Sequence, residues 1–240
     1  MKKKSKYTIE ETTEGKYIGE TVNSIRNGKG TFYWRSGRKY VGDWKDGIKE
    51  GKGFFYYETG NTYIGEMKNN KREGYGTFYN NEGEVFEGNW KNDMADGFGI
   101  YYYSNGEIYE GNFKEDKFDG FGKYFYECGD KYEGNWKNGK REGNGICYYS
   151  NGDIYDGEWK NSKKDGKGII TYITGNKYDG LWKEGKKNGN GVYFFHNGDK
   201  FTGEWKNGKR NGFGVFYYKD KDLEEKGIWE NDKLKEDVKK

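Results

Sequence analysis

The sequence contains no proline, one histidine, two cysteines and only three leucines. Each shortage removes a class of protein. Ordinary globular cores are built mainly from Leu, Ile and Val, yet Ala, Val, Ile and Leu together number 23 of 240 residues. A Rossmann fold, a helix bundle or a two-layer α/β domain cannot be filled from so few aliphatic side chains. No apolar run is long enough for a transmembrane helix. The basic run Lys2-Lys3-Lys4 with Lys6 lacks the apolar stretch that a signal peptide needs after it. Cys128 and Cys147 make no disulfide framework and are expected as free thiols in a reducing, cytosol-facing compartment. The one histidine, His196, precedes Asn197-Gly198 and reads as a surface turn. With these residues neither a zinc site nor a Cys-His or Ser-His nucleophile can be assembled, so no catalytic residue, metal or cofactor is expected.

Charge of one sign is also missing. Lys and Arg number 43 against 40 Asp and Glu, with the signs interspersed. A nucleic-acid binder needs a clustered basic face, so that class is excluded. A charged fraction of 35% would by itself suggest disorder. What is abundant argues otherwise: 41 Gly, 24 Tyr, 15 Phe and 8 Trp. Rings bury large areas, and disordered chains lack them. The composition therefore describes an extended β protein with glycine turns and ring-based packing.

The order of these residues is periodic. An aromatic residue recurs every 23 residues at Tyr17, Tyr40, Tyr63, Phe86, Tyr109, Tyr132, Tyr155, Tyr178 and Phe201. Gly follows two residues later each time, and Trp two after that, with Thr21, Met67 and Phe113 as exceptions. A Gly-x-Gly pair follows in each unit and a turn glycine closes eight of the nine, the clearest unit being Tyr132–Ile154. Repeats of this length signal stacked units that share one core. The Gly-x-Gly pairs open no helix and carry no Walker lysine, so they read as strand glycines rather than nucleotide loops.

Aromatic-x-Gly-x-Trp, then Gly-x-Gly, then Asp/Asn-Gly resembles the MORN repeat. The resemblance covers residues 17–223. It implies an all-β chain: an elongated, twisted, single-layer antiparallel meander of about nine hairpins with end caps. Residues 1–16 form a basic segment with a cap strand around Tyr7–Glu11, and residues 224–240 a partial tenth repeat with a charged tail. Each unit reads as two strands, joined by a type I′ turn such as Asn138-Gly139 and a second connection such as Ser150-Asn151-Gly152. Side chains alternate faces with period two, so an odd repeat flips its faces unless one connection is odd or bulged. A three-residue loop ending in glycine meets that condition.

This register sets Trp159 across from Gly143, Gly157 across from Gly145, and Tyr155 across from Cys147. Rings need space beside adjacent strands, and glycines supply it. The expected repeat core is thus Tyr132, Gly134, Trp136, Gly143, Gly145, Tyr155, Gly157 and Trp159. Basic residues near the turns, including Lys137, Lys71-Arg72, Lys140-Arg141 and Lys209-Arg210, are interleaved with acids and read as a solvated face rather than a rail for lipid headgroups.

The opposite face carries Tyr33, Tyr56, Tyr79, Tyr102 and Tyr148. It also carries the residue after each repeat-initial aromatic, which changes from Ile18, Val41 and Ile64 to Glu87, Glu110, Glu133, Asp156 and Asp179. An apolar block on a face kept polar elsewhere implies a cover. Ile18, Val41, Ile64, Tyr33 and Tyr56 are therefore the candidate protein-binding residues, with the segment Tyr7–Glu11 as the competing cover. The resemblance implies a non-catalytic scaffold in a cytoskeletal assembly, of the ciliary radial spoke head type in the axoneme. Its expected partners are other proteins of a larger assembly, with self-association open. The alternatives are a membrane-lipid recognition or tethering module and a regulatory subunit of a separate enzyme, since 17 C-terminal residues hold no catalytic domain.

Overall fold

The computed structural model describes residues 5–237; the run Lys2-Lys3-Lys4 lies outside them. They form 21 strands of one open antiparallel sheet, with a single short 3-10 turn at Lys219–Lys221. The chain divides into two compact units, Met1–Phe118 and Asp119–Lys240. The first opens with β1 (Lys6–Glu11), β2 (Gly15–Val22) and β3 (Ile25–Trp34), and each pairs with the next in sequence. The second unit repeats the same hairpin, as in Lys131–Lys137 with Lys140–Tyr148.

The local chemistry of that hairpin explains the period. Asn138 and Gly139 hold φ of 48° and 77°, and two positive φ values in succession define the type I′ turn. At the other end, Tyr149 N–H donates to Asp153 O and Gly152 N–H to Tyr149 O, both at 2.9 Å. This closes a three-residue loop, Ser150-Asn151-Gly152, with Gly152 at φ 91°. The odd loop keeps the ring-bearing positions of consecutive units on one face.

A second device was not visible in the period. The register shifts between Gly134 and Trp136, which face Gly145 and Arg141 respectively. Asn135 alone therefore opposes Glu142, Gly143 and Asn144 in a bulge. Two surplus residues leave the alternation of faces intact. Gly143 does pair with Trp159, but the expectation that it makes room for a ring is corrected. A Cβ there would find nothing closer than the Asn135 side chain at 3.7 Å, and φ is 72°. Glycine is favoured at this point for its left-handed backbone, not for space.

Gly145 is the true spacer. A Cβ on it would lie 2.5 Å from Tyr132 Cζ, so the ring lies flat on bare backbone. Gly134 and Gly145 face each other across the strands, and a Cβ on Gly134 would meet Tyr132 Oη at 2.6 Å. The rings then join edge to face. Tyr132 meets Trp136 at 5.2 Å and Trp159 at 5.3 Å, with interplanar angles of 87° and 84°. Their polar ends are satisfied: Tyr132 Oη donates to Asn135 O at 3.0 Å, and Trp159 Nε1–H donates to Gly145 O at 2.9 Å. Tyr132, Trp136, Cys147, Tyr155 and Trp159 are all buried, which leaves one face of a single sheet packed by its own aromatic ladder.

Candidate protein-binding faces

On the face away from this ladder, the pairing register aligns one row of side chains across the first unit. Ile9 faces Ile18, Ile18 faces Thr31, Thr31 faces Val41, Val41 faces Phe54, Phe54 faces Ile64 and Ile64 faces Thr77. The row turns acidic at the next step, where Thr77 faces Glu87. Ile18, Val41 and Ile64 are thus brought together, separated only by Thr31 and Phe54. Tyr33 and Tyr56 flank them on either side of Lys39, whose Nζ sits 4.2 Å from the Tyr56 ring centroid.

The N-terminal segment does not cover this row. As β1 it pairs with the edge of β2 and extends the same face, adding Tyr7 and Ile9 at 69% and 66% exposure. Tyr7, Ile18, Thr31, Val41 and Phe54 line an open depression there. In the second unit the corresponding pairs include Lys123 with Glu133, and Lys131 Nζ reaches Glu133 Oε2 at 2.8 Å. That neighbouring ammonium draws the Glu133 carboxyl below its usual range. The contrast between an apolar and an ion-paired stretch of the same face is therefore built into the sheet.

The ladder face holds residues that sequence reasoning missed. Arg26, Lys49, Arg72, Arg141, Lys164, Lys187 and Arg210 each lie over rings. Their nearest centroids are Phe32 at 4.4 Å, Phe55 at 4.5 Å, Trp90 at 4.0 Å, Trp159 at 4.2 Å, Tyr155 at 4.8 Å, Tyr193 at 4.4 Å and Trp229 at 4.3 Å. Arg72, Arg141 and Arg210 were expected on a solvated turn face; their guanidinium groups instead fold inward over the ladder. Burial pulls the Lys49 and Lys187 ammonium groups down to about 8 and lowers Lys164 as well. Ring faces attract the cation and offset part of that cost. The signal was present in the sequence, because these residues recur at the repeat spacing beside the type I′ turn in seven of the nine repeats. Lys137, by contrast, stays exposed and lies 3.1 Å from Asp119 Oδ2.

Cys147 is buried in the ladder and Cys128 is exposed, both as free thiols. Burial pushes the Cys147 thiol up, which disfavours its reactive thiolate. His196 sits in a turn where its N–H donates to Asn176 Oδ1 at 2.9 Å. Among the described residues no group of three or more His, Cys, Asp or Glu is placed to hold a metal ion.

Comparison with known proteins agrees with this geometry. The MORN repeat matches nine consecutive segments, at residues 17–37, 40–62, 63–84, 86–108, 109–130, 132–154, 155–177, 178–200 and 201–223. No match to the sequence is found among curated proteins. Among solved structures, the TCP10 domain of Danio rerio CPAP in complex with a peptide of Danio rerio STIL is similar, at 10% identity and a TM-score of 0.53 over 98% of this chain and 100% of that one. The TCP domain of Drosophila melanogaster SAS-4 in complex with a proline-rich motif of Ana2 gives 15% identity and a TM-score of 0.42, over 74% of this chain and 90% of that one. At 10% identity the likeness to the Danio rerio domain is one of fold alone. Nine matched segments, each with the aromatic, the glycines and the turn in place, show that the chain belongs to the MORN repeat family.

Proposed function

We propose that this chain is a non-catalytic scaffold that binds other proteins through the open face of its first three repeats. The observation that carries the reading is the apolar row from Ile9 to Ile64, which no other part of the described chain covers and which ends at Glu87. Ile18, Val41 and Ile64 are already half-buried in the sheet, so a partner removes only their remaining exposed area, at about 25 cal/mol per Å². It gains more from Phe54 and Ile9, which are 45% and 66% exposed. The flanking Tyr33 and Tyr56 add ring area with a polar end suited to a protein interface. A related fold carries a partner's peptide in the Danio rerio CPAP domain, which supports protein binding as the role of such a sheet.

The test uses the full chain bearing Val41→Glu and Ile64→Glu together, against a control carrying Asp156→Asn on the same face of the second unit. Partner proteins recovered from the native cell are expected to be lost with the double variant and kept with the control. Equal recovery by both would reject the face. Salt-sensitive sedimentation with anionic vesicles would instead favour the lipid reading, and a single co-purified enzyme the regulatory one. Within the scaffold reading we place the chain in a cytoskeletal assembly, as an axonemal component of the radial spoke head type. The resemblance to stand-alone repeat arrays supports that placement, and localisation of the tagged chain against axonemal tubulin tests it.

A further inference from the structure

Seven of the nine repeats place their own Arg or Lys into a cage of rings on the ladder face. In the fifth, Phe118 takes that position and stacks on Tyr109 at 3.6 Å. The fourth repeat has Ala95, whose buried methyl is too short to fill the cage. Around it lies a cavity of about 300 Å³, walled by Phe86, Trp90, Tyr101 and Phe113, with Arg72 and Asp116 at its margin. Three of the walls, Phe86, Tyr101 and Phe113, correspond ring for ring to those around Arg72, which are Tyr63, Phe78 and Trp90, and around Arg210, which are Phe201, Phe216 and Trp229.

Two of the four caged arginines, Arg72 and Arg210, have an aspartate where Asp116 stands beside Ala95, whereas Arg141 has Ser162 there, so the carboxylate at the margin suits a guanidinium. Asp93 Oδ1 accepts the Arg72 backbone N–H at 2.8 Å and faces Arg72 Nε at 3.4 Å. Asp232 Oδ1 does the same for Arg210, at 2.9 and 3.3 Å. Asp116 Oδ1 accepts the Ala95 backbone N–H at 2.7 Å, so its carboxylate is set in the same place with no guanidinium from its own repeat opposite. Where the cage holds Lys49 the corresponding residue is Asn70, not Asp. A second acid stands by: Glu84 Oε2 accepts the Tyr101 hydroxyl and an Asn80 amide hydrogen. Arg72, the one cation on the margin, is already engaged by Asp93 and Trp90.

We propose that the cavity at Ala95 is a socket for an arginine side chain of a partner protein, held between the ring faces and paired with Asp116. The guanidinium would stack on the rings and donate to the free lone pairs of the carboxylate, as Arg72 and Arg210 do from within. The socket lies on the ladder face and stands independently of the open apolar row, so either can fail alone.

The probe is the peptide acetyl-Gly-Arg-Gly-amide, with acetyl-Gly-citrulline-Gly-amide as the neutral isostere, titrated against the full chain. The readout is the Trp90 indole N–H resonance. A saturable shift is expected with the arginine peptide and not with the citrulline one. Ala95→Arg should fill the socket from within, abolish the shift and raise the melting temperature. Asp116→Asn, which keeps the backbone hydrogen bond, should weaken the peptide by roughly tenfold, the loss expected of one charge-assisted hydrogen bond. Equal shifts from both peptides, no saturable shift, or an unchanged affinity in Asp116→Asn would overturn the proposal. The Val41→Glu, Ile64→Glu chain should bind the arginine peptide normally, which separates this site from the open face.

Discussion

Two glycines two residues apart serve different ends, and their substitutions should separate accordingly. Gly145 lies beneath the Tyr132 ring, so Gly145→Val forces ring and strand apart at a cost of about 1–3 kcal/mol. Lys137→Ala, on an exposed side chain, should stay within about 0.5 kcal/mol. Gly143 sits at φ 72° with open space around its Cα. Gly143→Asn should therefore be tolerated, because Asn enters the left-handed region at little cost, whereas Gly145→Asn should not. Urea unfolding midpoints of the four variants check the scheme. Equal midpoints for Gly143→Asn and Gly145→Asn would show that space and backbone conformation are not separable here.

At the scale of the hairpin, the strands, both turns and the facing pairs were legible in the sequence. The 23-residue spacing, an odd number, demanded an odd or bulged connection, and a three-residue loop with glycine at its third residue supplied it. The bulge at Asn135 was not legible, because adding two residues to one strand changes neither the parity nor the motif spacing. The ringed cations were missed for a different reason. Beside a turn, Arg141 looks solvated along the chain, and only the fold brings Tyr132 and Trp159 to it. The candidate row Ile18, Val41, Ile64 was readable as a change of residue type at one repeat position. Its extension by Ile9 was not, since β1 lies outside the repeat and its register appears only on pairing. The same logic predicts a test of the hairpin-to-hairpin link. Trp159→Phe keeps a ring but removes the donor to Gly145 O, and should cost about 1 kcal/mol for the lost hydrogen bond. Phe113 stands at this position in another repeat, so the variant should still fold, with a lowered midpoint and an unchanged far-ultraviolet spectrum. An unchanged midpoint would mean that the indole donor contributes nothing to stacking one hairpin on the next.

Across the whole molecule, caged lysines and buried tyrosines set opposing pH dependences. Lys49 and Lys187 are drawn from 10.5 down to about 8 by burial. Between about pH 8 and 10 the unfolded chain therefore carries protons at these sites that the folded chain has released. Stability rises with pH wherever the unfolded state binds more protons, so it should climb through this window. The tyrosines act in the other direction. Burial raises Tyr17 to about 12 and Tyr40, Tyr63, Tyr132, Tyr155 and Tyr178 further still, from an ordinary value of 10.0. Above pH 10 the unfolded chain loses phenolic protons that the ladder retains, and stability should fall steeply because many rings act together. The melting temperature followed by near-ultraviolet circular dichroism should thus pass through a maximum between about pH 9 and 10. Replacing Lys49 and Lys187 by Met should flatten the rise below the maximum and leave the fall above it. A melting temperature that declines steadily from pH 8 in the unaltered chain would show that attraction to the ring faces outweighs burial at the caged ammonium groups, and that the lysines hold their protons as firmly folded as unfolded.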